Sequence, residues 1–571
     1  MIHEIVPIRQ ESSKTIDGDL EIRMSKRCRR RRSKLVLFFF MSILITTGSI
    51  AQSLRRPKLI VGIVIDQMRW DYLYRYYNRY SPTGGFKRLL NDGMSCENTF
   101  IPYTPTVTAC GHTCIYTGSV PAIHGITGNT WWDNQSDRLV YCSEDKSVKT
   151  VGSNDELGMM SPRNMLTSTI CDELKLATNF GSKVIGIAIK DRGGILPAGH
   201  SADAAYWYDI KTGDWISSTY YMTDLPRWVK DINARKSVDK YYQQGWNTLY
   251  PINTYTQSTE DKTRYEATPL GGNSFPYDLK NAIGKNYGLL PLLPYGNTFT
   301  IELAKAAIAN ENMGHDSIPD FLALSFSSPD YIGHNFGPNS VEQEDNFLRL
   351  DRELGDFLNF LDAKIGRGQY LVFLSADHGA AHVPSFVKDH QLPGGYLNYG
   401  HLIDTVNTFL RKKYGYPDVV TAAYNYQLFL NHKSIDSAKL DPRIVEQSVI
   451  DFISKQEGIA GAFVLRNISD APLNSHLKEM MINGYFPRRS GDIQLVFEPQ
   501  WIESYETGGT THGLWNPYDS HIPLLWLGWG IRSGRLNRET HMTDIAPTLA
   551  ALLHIQMPNG CVGRVIEEVI K

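Results

Sequence analysis

Acidic and imidazole side chains follow three apolar runs in this sequence. Asp66 ends the run KLIVGIVID, Asp330 and His334 follow FLALSFSSP, and Asp377 and His378 follow QYLVFLSA. A single acid after a strand is usually a helix cap or a turn residue. Three acidic positions, two of them close to a histidine, instead form a donor set that suits Zn²⁺ or a similar metal. The ligands suffice for two ions, and metal pairs serve in-line displacement at phosphorus in many phosphatases.

The segment TVTACGHTCIYTG (106–118) has an unusual composition for a helix. It combines four threonines, two cysteines and a histidine with an internal glycine. Such β-branched and small polar residues are poor helix formers. A buried helix with incidental threonines explains neither the glycine nor the histidine, so the pattern indicates a segment with a chemical role.

The elements that must position these residues follow from the apolar runs. Continuous apolar runs of this length predict strands that are buried on both faces. They cover 58–66, 183–190, 321–330, 369–379 and 522–530. Helical periodicity separates them, most clearly over 340–365, and a last helix is predicted over 544–555. The alternation predicts an α/β fold with a mostly parallel central sheet flanked by helices on both faces, and ligands beyond the carboxyl ends of its strands.

Two stretches interrupt this alternation. Residues 201–300 are rich in Tyr, Trp, Asn and Gly and show little periodicity, whereas residues 395–490 contain helical patterns of their own. We interpret both as smaller cap regions that are inserted into one catalytic domain covering 52–571.

The segment TACGHTCIYTGSVPAIHGITGN (108–129) resembles the nucleophile segment of the alkaline phosphatase superfamily. It is most similar to the branch shared by nucleotide pyrophosphatase/phosphodiesterases and phosphate-irrepressible (PafA-like) alkaline phosphatases, in which a threonine opens a helix and an asparagine closes the segment. The resemblance implies that Thr108 is the nucleophile and that Asn129 contacts phosphate. A helix N-terminus favours an anion, and a hydroxyl needs a metal to become a good nucleophile at neutral pH.

The resemblance covers nearly all of residues 58–570 and implies two zinc ions per chain. One ion would be held by Asp66, Thr108, Asp377 and His378, and the other by Asp330, His334 and a late histidine. In THGLWNPYDSHIPLLWLG (511–528), the match favours His512 as that ligand, with His521 as the alternative. The remaining histidines that we considered are expected to be structural: His112, His124, His200, His382 and His390.

The segment IKDRGGILPAGH (189–200) indicates whether the substrate is a phosphate monoester or a diester. A monoester dianion has three non-bridging oxygens, and its loose transition state is stabilised mainly by positioning and charge. The segment resembles the Lys-Asp-Arg element of PafA-like enzymes, in which Lys190 and Arg192 reach the phosphoryl oxygens. Strand alternation would point both side chains the same way. The expected activity is hydrolysis of small-molecule phosphate monoesters through a phosphothreonine intermediate.

The net charge of the chain and its N-terminal segment indicate which partners and which cellular location to expect. Residues 1–51 hold ten Lys or Arg and five Asp or Glu, which leaves 48 basic against 55 acidic residues in the remainder. A mildly acidic body without a basic stripe argues against nucleic acid as a partner.

A basic stretch (26–34) and an apolar stretch (35–51) predict a cleaved signal peptide, no lasting membrane anchor and a periplasmic or secreted product. The start codon (Met1 or Met24), disulfide pairing and oligomeric state stay open.

Other functions stay open at the level of sequence. A phosphodiesterase or phosphonate hydrolase would use the same zinc ions, and a binding protein could retain the fold without activity. The complete ligand set argues against the second alternative. A sulfatase needs a modified cysteine or serine in a C/S-x-P-x-R frame, whereas Cys110 is followed by glycine and histidine.

Overall fold

A ten-stranded sheet organises the protein, whose computed structural model describes residues 55–504 and 508–571. The strands in these ranges are β1 (Leu59–Ile65), β2 (Met94–Phe100), β3 (Thr130–Asp133), β4 (Arg138–Tyr141), β5 (Thr150–Val151), β6 (Val184–Ala188), β7 (Ala204–Asp209), β8 (Asp214–Ser218), β9 (Asp320–Phe326), β10 (Tyr370–Ser375), β11 (Gly395–Leu397), β12 (Val420–Tyr424), β13 (Gln427–Leu430), β14 (Ile459–Val464), β15 (Ile493–Phe497), β16 (Trp501–Glu503), β17 (His521–Gly528) and β18 (Gly534–His541).

The α-helices surround this sheet and a smaller one. They are α1 (Tyr72–Arg75), α2 (Gly85–Asp92), α3 (Thr108–Thr117), α4 (Pro121–His124), α5 (Ile170–Ala177), α6 (Asp191–Ala198), α7 (Arg227–Asn233), α8 (Ser237–Gln244), α9 (Tyr295–Asn310), α10 (Ser328–Phe336), α11 (Val341–Leu361), α12 (Pro384–Asp389), α13 (Tyr399–Tyr414), α14 (His432–Ser437), α15 (Pro442–Ile453), α16 (Ser475–Gly484), α17 (Pro517–Ser520) and α18 (Ile545–Leu553).

The central sheet has the strand order β18-β2-β17-β10-β1-β9-β6-β7-β8-β5. Its middle strands pair in parallel, from β10 through β1, β9 and β6 to β7. Strand β17 is antiparallel to both of its neighbours, and β8 is antiparallel to β7 and β5. The prediction of a mostly parallel α/β sheet is therefore confirmed, although the predicted strand at 522–530 runs against the others as β17.

Burial explains why the apolar runs form the centre of the sheet. Every residue of β1, β9 and β10 is buried, as expected for strands that are covered by helices on both faces. Helix α11 confirms the helical pattern that was predicted over 340–365, and its leucines lie in the main hydrophobic core. The last predicted helix is α18, which packs into the same core.

A second sheet lies in the region that follows β11. Its four antiparallel strands have the order β12-β13-β15-β14, and helices α13 and α15 pack on it around a separate hydrophobic cluster. In the other interpreted cap region, 201–300, the strands β7 and β8 belong to the central sheet. The division into a catalytic domain with two insertions stays a prediction.

The predicted signal peptide, residues 1–51, lies outside the described residues. Among the helices that the structure does describe, none combines the length and the apolar character that crossing a membrane requires.

Candidate active site

The predicted site residues lie at one edge of the central sheet, where its parallel strands end. Asp66 follows β1 directly, Asp377 comes two residues after β10, and Asp330 lies in the first turn of α10 after β9. Because β17 runs in the opposite direction, it begins at this same edge, and the segment with His512 lies just before it. The sheet topology thus brings together residues that are far apart in sequence.

Helix α3 begins at Thr108 and is buried along its whole length. The side chain of Val107, the N-cap residue, makes no capping hydrogen bond, and Asn129 Oδ1 accepts the Ala109 N–H, so the remaining backbone N–H groups of the first turn are available for an anion. The hydroxyls of Thr113 and Thr117 bond to carbonyls one turn earlier in the helix, at 2.7 Å each. Gly118 ends the helix in the left-handed conformation. These internal bonds explain how threonines are tolerated inside a buried helix.

Gly111 lets α3 pack closely against the segment after β10. A Cβ atom at this position would lie 2.3 Å from the carbonyl oxygen of Asp377. The glycine in ACGH is therefore required by the approach of the helix to a candidate metal ligand.

The substitution Gly111→Ala should lower the free energy of unfolding by about 1–3 kcal/mol, since overpacking forces the backbone to shift. It should also lower turnover, because the shift displaces Asp377. Gly272→Ala is a matched control, as nothing lies within 4 Å of an added Cβ there. Chemical denaturation of both variants measures the difference; equal stability and equal turnover would contradict the packing argument.

The first candidate metal cluster gathers around His378. Its Nε2 lies 3.5 Å from Asp66 Oδ1, 3.5 Å from Asp377 Oδ2 and 3.4 Å from the Thr108 hydroxyl. Asp66 Oδ1 is buried and has no hydrogen-bond partner among the described residues. These are the four residues that the family resemblance assigns to one ion. Judged by mutual distances alone, His378 and Asp66 also group with Asp330.

The second cluster consists of Asp330, His334 and His512. Asp330 Oδ1 lies 3.2 Å from His334 Nε2 and 3.6 Å from His512 Nε2. The His512 ring also stacks on the His378 ring, with a centroid distance of 3.5 Å. The two clusters are therefore in direct contact.

Backbone carbonyls fix the orientation of all three imidazoles. The Nδ1 atoms of His334, His378 and His512 lie 2.7, 2.9 and 2.7 Å from the carbonyl oxygens of Thr510, Gly379 and Thr106. Because a carbonyl only accepts, each Nδ1 must donate, and in its neutral form each ring presents the lone pair of Nε2 to the carboxylates. Convergent lone pairs on imidazole and carboxylate are a donor set that fits metal cations.

The direction of the pKa shift at two of the three imidazoles also fits metal binding. Burial lowers the pKa of His378, and burial together with the charges of His378 and His334 lowers that of His512 well below its usual value. These shifts favour the neutral form of both rings, which is the form that binds a metal, whereas the Asp330 carboxylate raises the pKa of His334. For Asp330, burial alone would raise the pKa, but the positive charges at His334 and Lys190 hold it well below its ordinary value.

Lys190 lies between the two clusters. Its Nζ is 2.6 Å from Asp66 Oδ2, 2.5 Å from Asp330 Oδ2 and 3.5 Å from the Thr108 hydroxyl. The side chain is buried, so its charge is compensated mainly by these carboxylates. The structure thus places one cation next to the candidate nucleophile.

Arg192 lies in the first turn of α6, where its Nη1 donates to the hydroxyl of Tyr141 at 3.0 Å. That hydroxyl in turn donates to Asp191 at 2.7 Å. Contrary to the prediction, strand alternation does not orient Lys190 and Arg192, because β6 ends at Ala188 and Lys190 occupies the N-cap position of α6. No sequence pattern predicted the hydrogen bond between Arg192 and Tyr141.

Asn129 lies beside the N-terminus of α3. Its Oδ1 accepts the backbone N–H of Ala109 at 2.9 Å, so its Nδ2 is the side-chain donor that stays available. His112 connects the same helix to β9, with Nδ1 2.9 Å from the Thr108 carbonyl and Nε2 2.8 Å from Ser325 Oγ.

His521, the alternative ligand, is engaged elsewhere. Its ring stacks between Trp70 and Phe100, at 4.6 Å from each, and its Nε2 lies 2.8 Å from the Glu97 carbonyl. Gln67 was not predicted as a site residue, yet its Nε2 donates to Asp330 at 2.7 Å and its backbone N–H donates to Asp377 at 3.1 Å. Its position next to Asp66 was the only signal for it.

Comparison with known proteins places this geometry in context. The chain matches the type I phosphodiesterase / nucleotide pyrophosphatase family over residues 60–519. Alkaline phosphatase PhoV of Synechococcus elongatus is 53% identical over 522 residues, which cover 91% of this chain and 94% of PhoV. Alkaline phosphatase PafA of Elizabethkingia meningoseptica is 48% identical over 541 residues, covering 93% and 98%. A Myroides odoratus protein named calcium-transporting ATPase is 53% identical over 527 residues, covering 91% and 96%.

Solved structures of PafA are also similar to this chain. The crystal structure of wild-type PafA has a TM-score of 0.89 at 48% identity and covers 91% of this chain and 100% of its own. A PafA variant matches with the same TM-score at 47% identity; it carries threonine-to-serine and asparagine-, lysine- and arginine-to-alanine substitutions and covers 91% and 100%.

Proposed function

This chain belongs to the type I phosphodiesterase / nucleotide pyrophosphatase family, and we propose from that premise that it is an alkaline phosphatase of the PafA-like branch. It hydrolyses small phosphate monoesters. The observation that carries this proposal is the lysine that lies beside the Thr108 hydroxyl and between two acidic clusters, in a fold shared with PafA over nearly the whole chain. Localisation in the periplasm or outside the cell is part of the proposal and is supported by the layout of residues 26–51.

Two zinc ions are the proposed cofactors. Asp66, Thr108, Asp377 and His378 would hold one of them, and Asp330, His334 and His512 the other. Zinc bound there would lower the pKa of a coordinated hydroxyl or water and would stabilise negative charge on the leaving oxygen. Support comes from the three Nδ1–carbonyl contacts that direct Nε2 lone pairs toward buried carboxylates.

The chain's own residues divide the remaining work. Thr108 Oγ attacks phosphorus, so that a bond from Oγ to phosphorus forms as the bond to the leaving alcohol oxygen breaks. Hydrolysis of the resulting phosphothreonine releases phosphate and restores the hydroxyl. Asn129 Nδ2 and the backbone N–H of Thr108 are proposed to hold equatorial phosphoryl oxygens, because α3 begins at Thr108 and Asn129 is hydrogen-bonded to the N–H of the next residue, Ala109.

Positive charge at the site favours a phosphate monoester over a diester as the substrate. The third non-bridging oxygen of a monoester dianion needs a compensating charge, which Lys190 and Arg192 are proposed to supply. The PafA variant gives support, because its four substituted residue types are those of Thr108, Asn129, Lys190 and Arg192. The alternative activity, phosphodiester or phosphonate hydrolysis, would not need this pair.

Comparing kcat/KM for p-nitrophenyl phosphate and bis-p-nitrophenyl phosphate tests the proposal. The wild type should prefer the monoester. Arg192→Ala should lower the monoester rate about 10²–10³-fold, as expected for the loss of one transition-state donor, while changing the diester rate far less. Lys211→Ala is the control, since Lys211 is exposed on the surface. A preference of the wild type for the diester would establish the alternative instead.

A further inference from the structure

A two-residue turn in the second sheet contacts the candidate active site at two places. Asn425 and Tyr426 join β12 to β13, and the flanking residues Tyr424 and Gln427 are paired in register. Both turn residues are left-handed, with φ of 56° and 62°. This is the geometry of a tight hairpin turn, which asparagine tolerates but which is unusual for a bulky residue such as tyrosine. An outlier of this kind calls for a functional explanation.

Asn425 holds the segment around Asn129. Its Nδ2 donates to the Thr130 carbonyl at 2.9 Å. On the other side of Asn129, a Cβ at Gly128 would lie 2.3 Å from the same Nδ2, so the amide packs directly on the Gly128 backbone. Asn425 therefore contacts both chain neighbours of the residue whose Oδ1 accepts the Ala109 N–H.

Tyr426 holds the segment around His512. Its hydroxyl donates to the His512 carbonyl at 2.9 Å, and its ring is buried. A Cβ at Gly513 would lie 2.4 Å from the ring, which shows that the tyrosine is packed against this backbone. The Tyr426 carbonyl accepts from Leu495 N–H and Gln494 Nε2 at 2.9 and 3.0 Å, so the tyrosine is anchored in the second sheet.

We infer that the Asn425–Tyr426 turn is a positioning element of the active site, in which Asn425 sets the place of Asn129 and Tyr426 sets the place of His512. The inference rests on the proposed function, because it assigns Asn129 to the phosphoryl group and His512 to a metal ion. Groups behind metal ligands and substrate contacts fix their orientation, and their loss typically costs 10–100-fold in metal affinity or activity. The second sheet thus contributes to catalysis without contacting the substrate.

The two residues should have separable effects. Tyr426→Phe removes only the hydroxyl and should weaken Zn²⁺ binding about tenfold, as measured by competition with a chromophoric chelator. Tyr424→Phe, the same change two residues earlier, should leave the Zn²⁺ affinity unchanged. Asn425→Gly preserves the left-handed backbone while removing the donor, and should lower kcat/KM for p-nitrophenyl phosphate about tenfold with unchanged Zn²⁺ affinity.

The outcomes distinguish this inference from the proposed function. A wild type that binds Zn²⁺ but hydrolyses no monoester would refute the proposed function, while the chelator comparison of Tyr426→Phe with Tyr424→Phe would still decide the role of the tyrosine. An active wild type together with three variants that match it in Zn²⁺ affinity and kcat/KM would overturn the inference. Equal losses of both quantities in all three variants, with lower melting temperatures, would show a purely structural role and would also overturn it. Should Tyr426→Phe not fold, Asn425→Gly decides alone.

Discussion

The substitution Thr108→Ala is expected to abolish turnover of p-nitrophenyl phosphate, while the purified protein keeps its bound zinc. Loss of a nucleophile that works together with its activating groups costs on the order of 10⁴–10⁶-fold in rate. The metal should remain, because Thr108 is only one of the four proposed ligands of this ion, and Asp66, Asp377 and His378 persist. Single-turnover kinetics and metal analysis on the same preparation measure both effects.

Two further variants make this result specific. Thr108→Ser keeps a hydroxyl at the start of α3 and should retain activity within about tenfold. Thr113→Ala removes the same atoms from the same buried helix, but its hydroxyl bonds to the Ala109 carbonyl, so turnover should change little. Substantial activity in Thr108→Ala would exclude Thr108 as the nucleophile, even though the fold is shared with PafA.

His512→Ala should remove one of the two zinc ions and lower kcat/KM at least about 100-fold. The reason is geometric: His512 Nε2 lies 3.6 Å from Asp330 Oδ1, and its Nδ1 is committed to the Thr106 carbonyl. Elemental analysis after dialysis against zinc-free buffer gives the stoichiometry. Restoration of activity by added zinc would show that the site is weakened but otherwise intact.

His521→Ala is the matched control for this prediction. The His521 ring lies between Trp70 and Phe100, so its loss should lower stability but leave two zinc ions per chain. If His521→Ala lost zinc and His512→Ala kept it, the assignment of the two histidines would be reversed.

Much of the fold was accessible from the sequence because burial leaves a direct pattern. The runs at 58–66, 183–190, 321–330 and 369–379 became the fully buried strands β1, β6, β9 and β10. Strands β2 and β18 escaped prediction, since their sequences mix polar residues with few apolar ones: MSCENTF and GRLNRETH. The direction of β17 was also inaccessible, because its apolar run is the same whether the strand pairs in parallel or antiparallel.

The sequence by itself determined which residue types could form a metal-dependent phosphatase site and in what order they come along the chain, since motif spacing and apolar runs are local properties. Only the tertiary structure decided which of them meet. It placed His512 beside Asp330 and enclosed His521 between aromatic rings, it tied Arg192 to Tyr141, and it brought Asn425 and Tyr426 of a second sheet against Asn129 and His512. The physical reason is that these contacts join residues that are at least 51 positions apart in the sequence, and strand order and packing, not local propensity, set such distances.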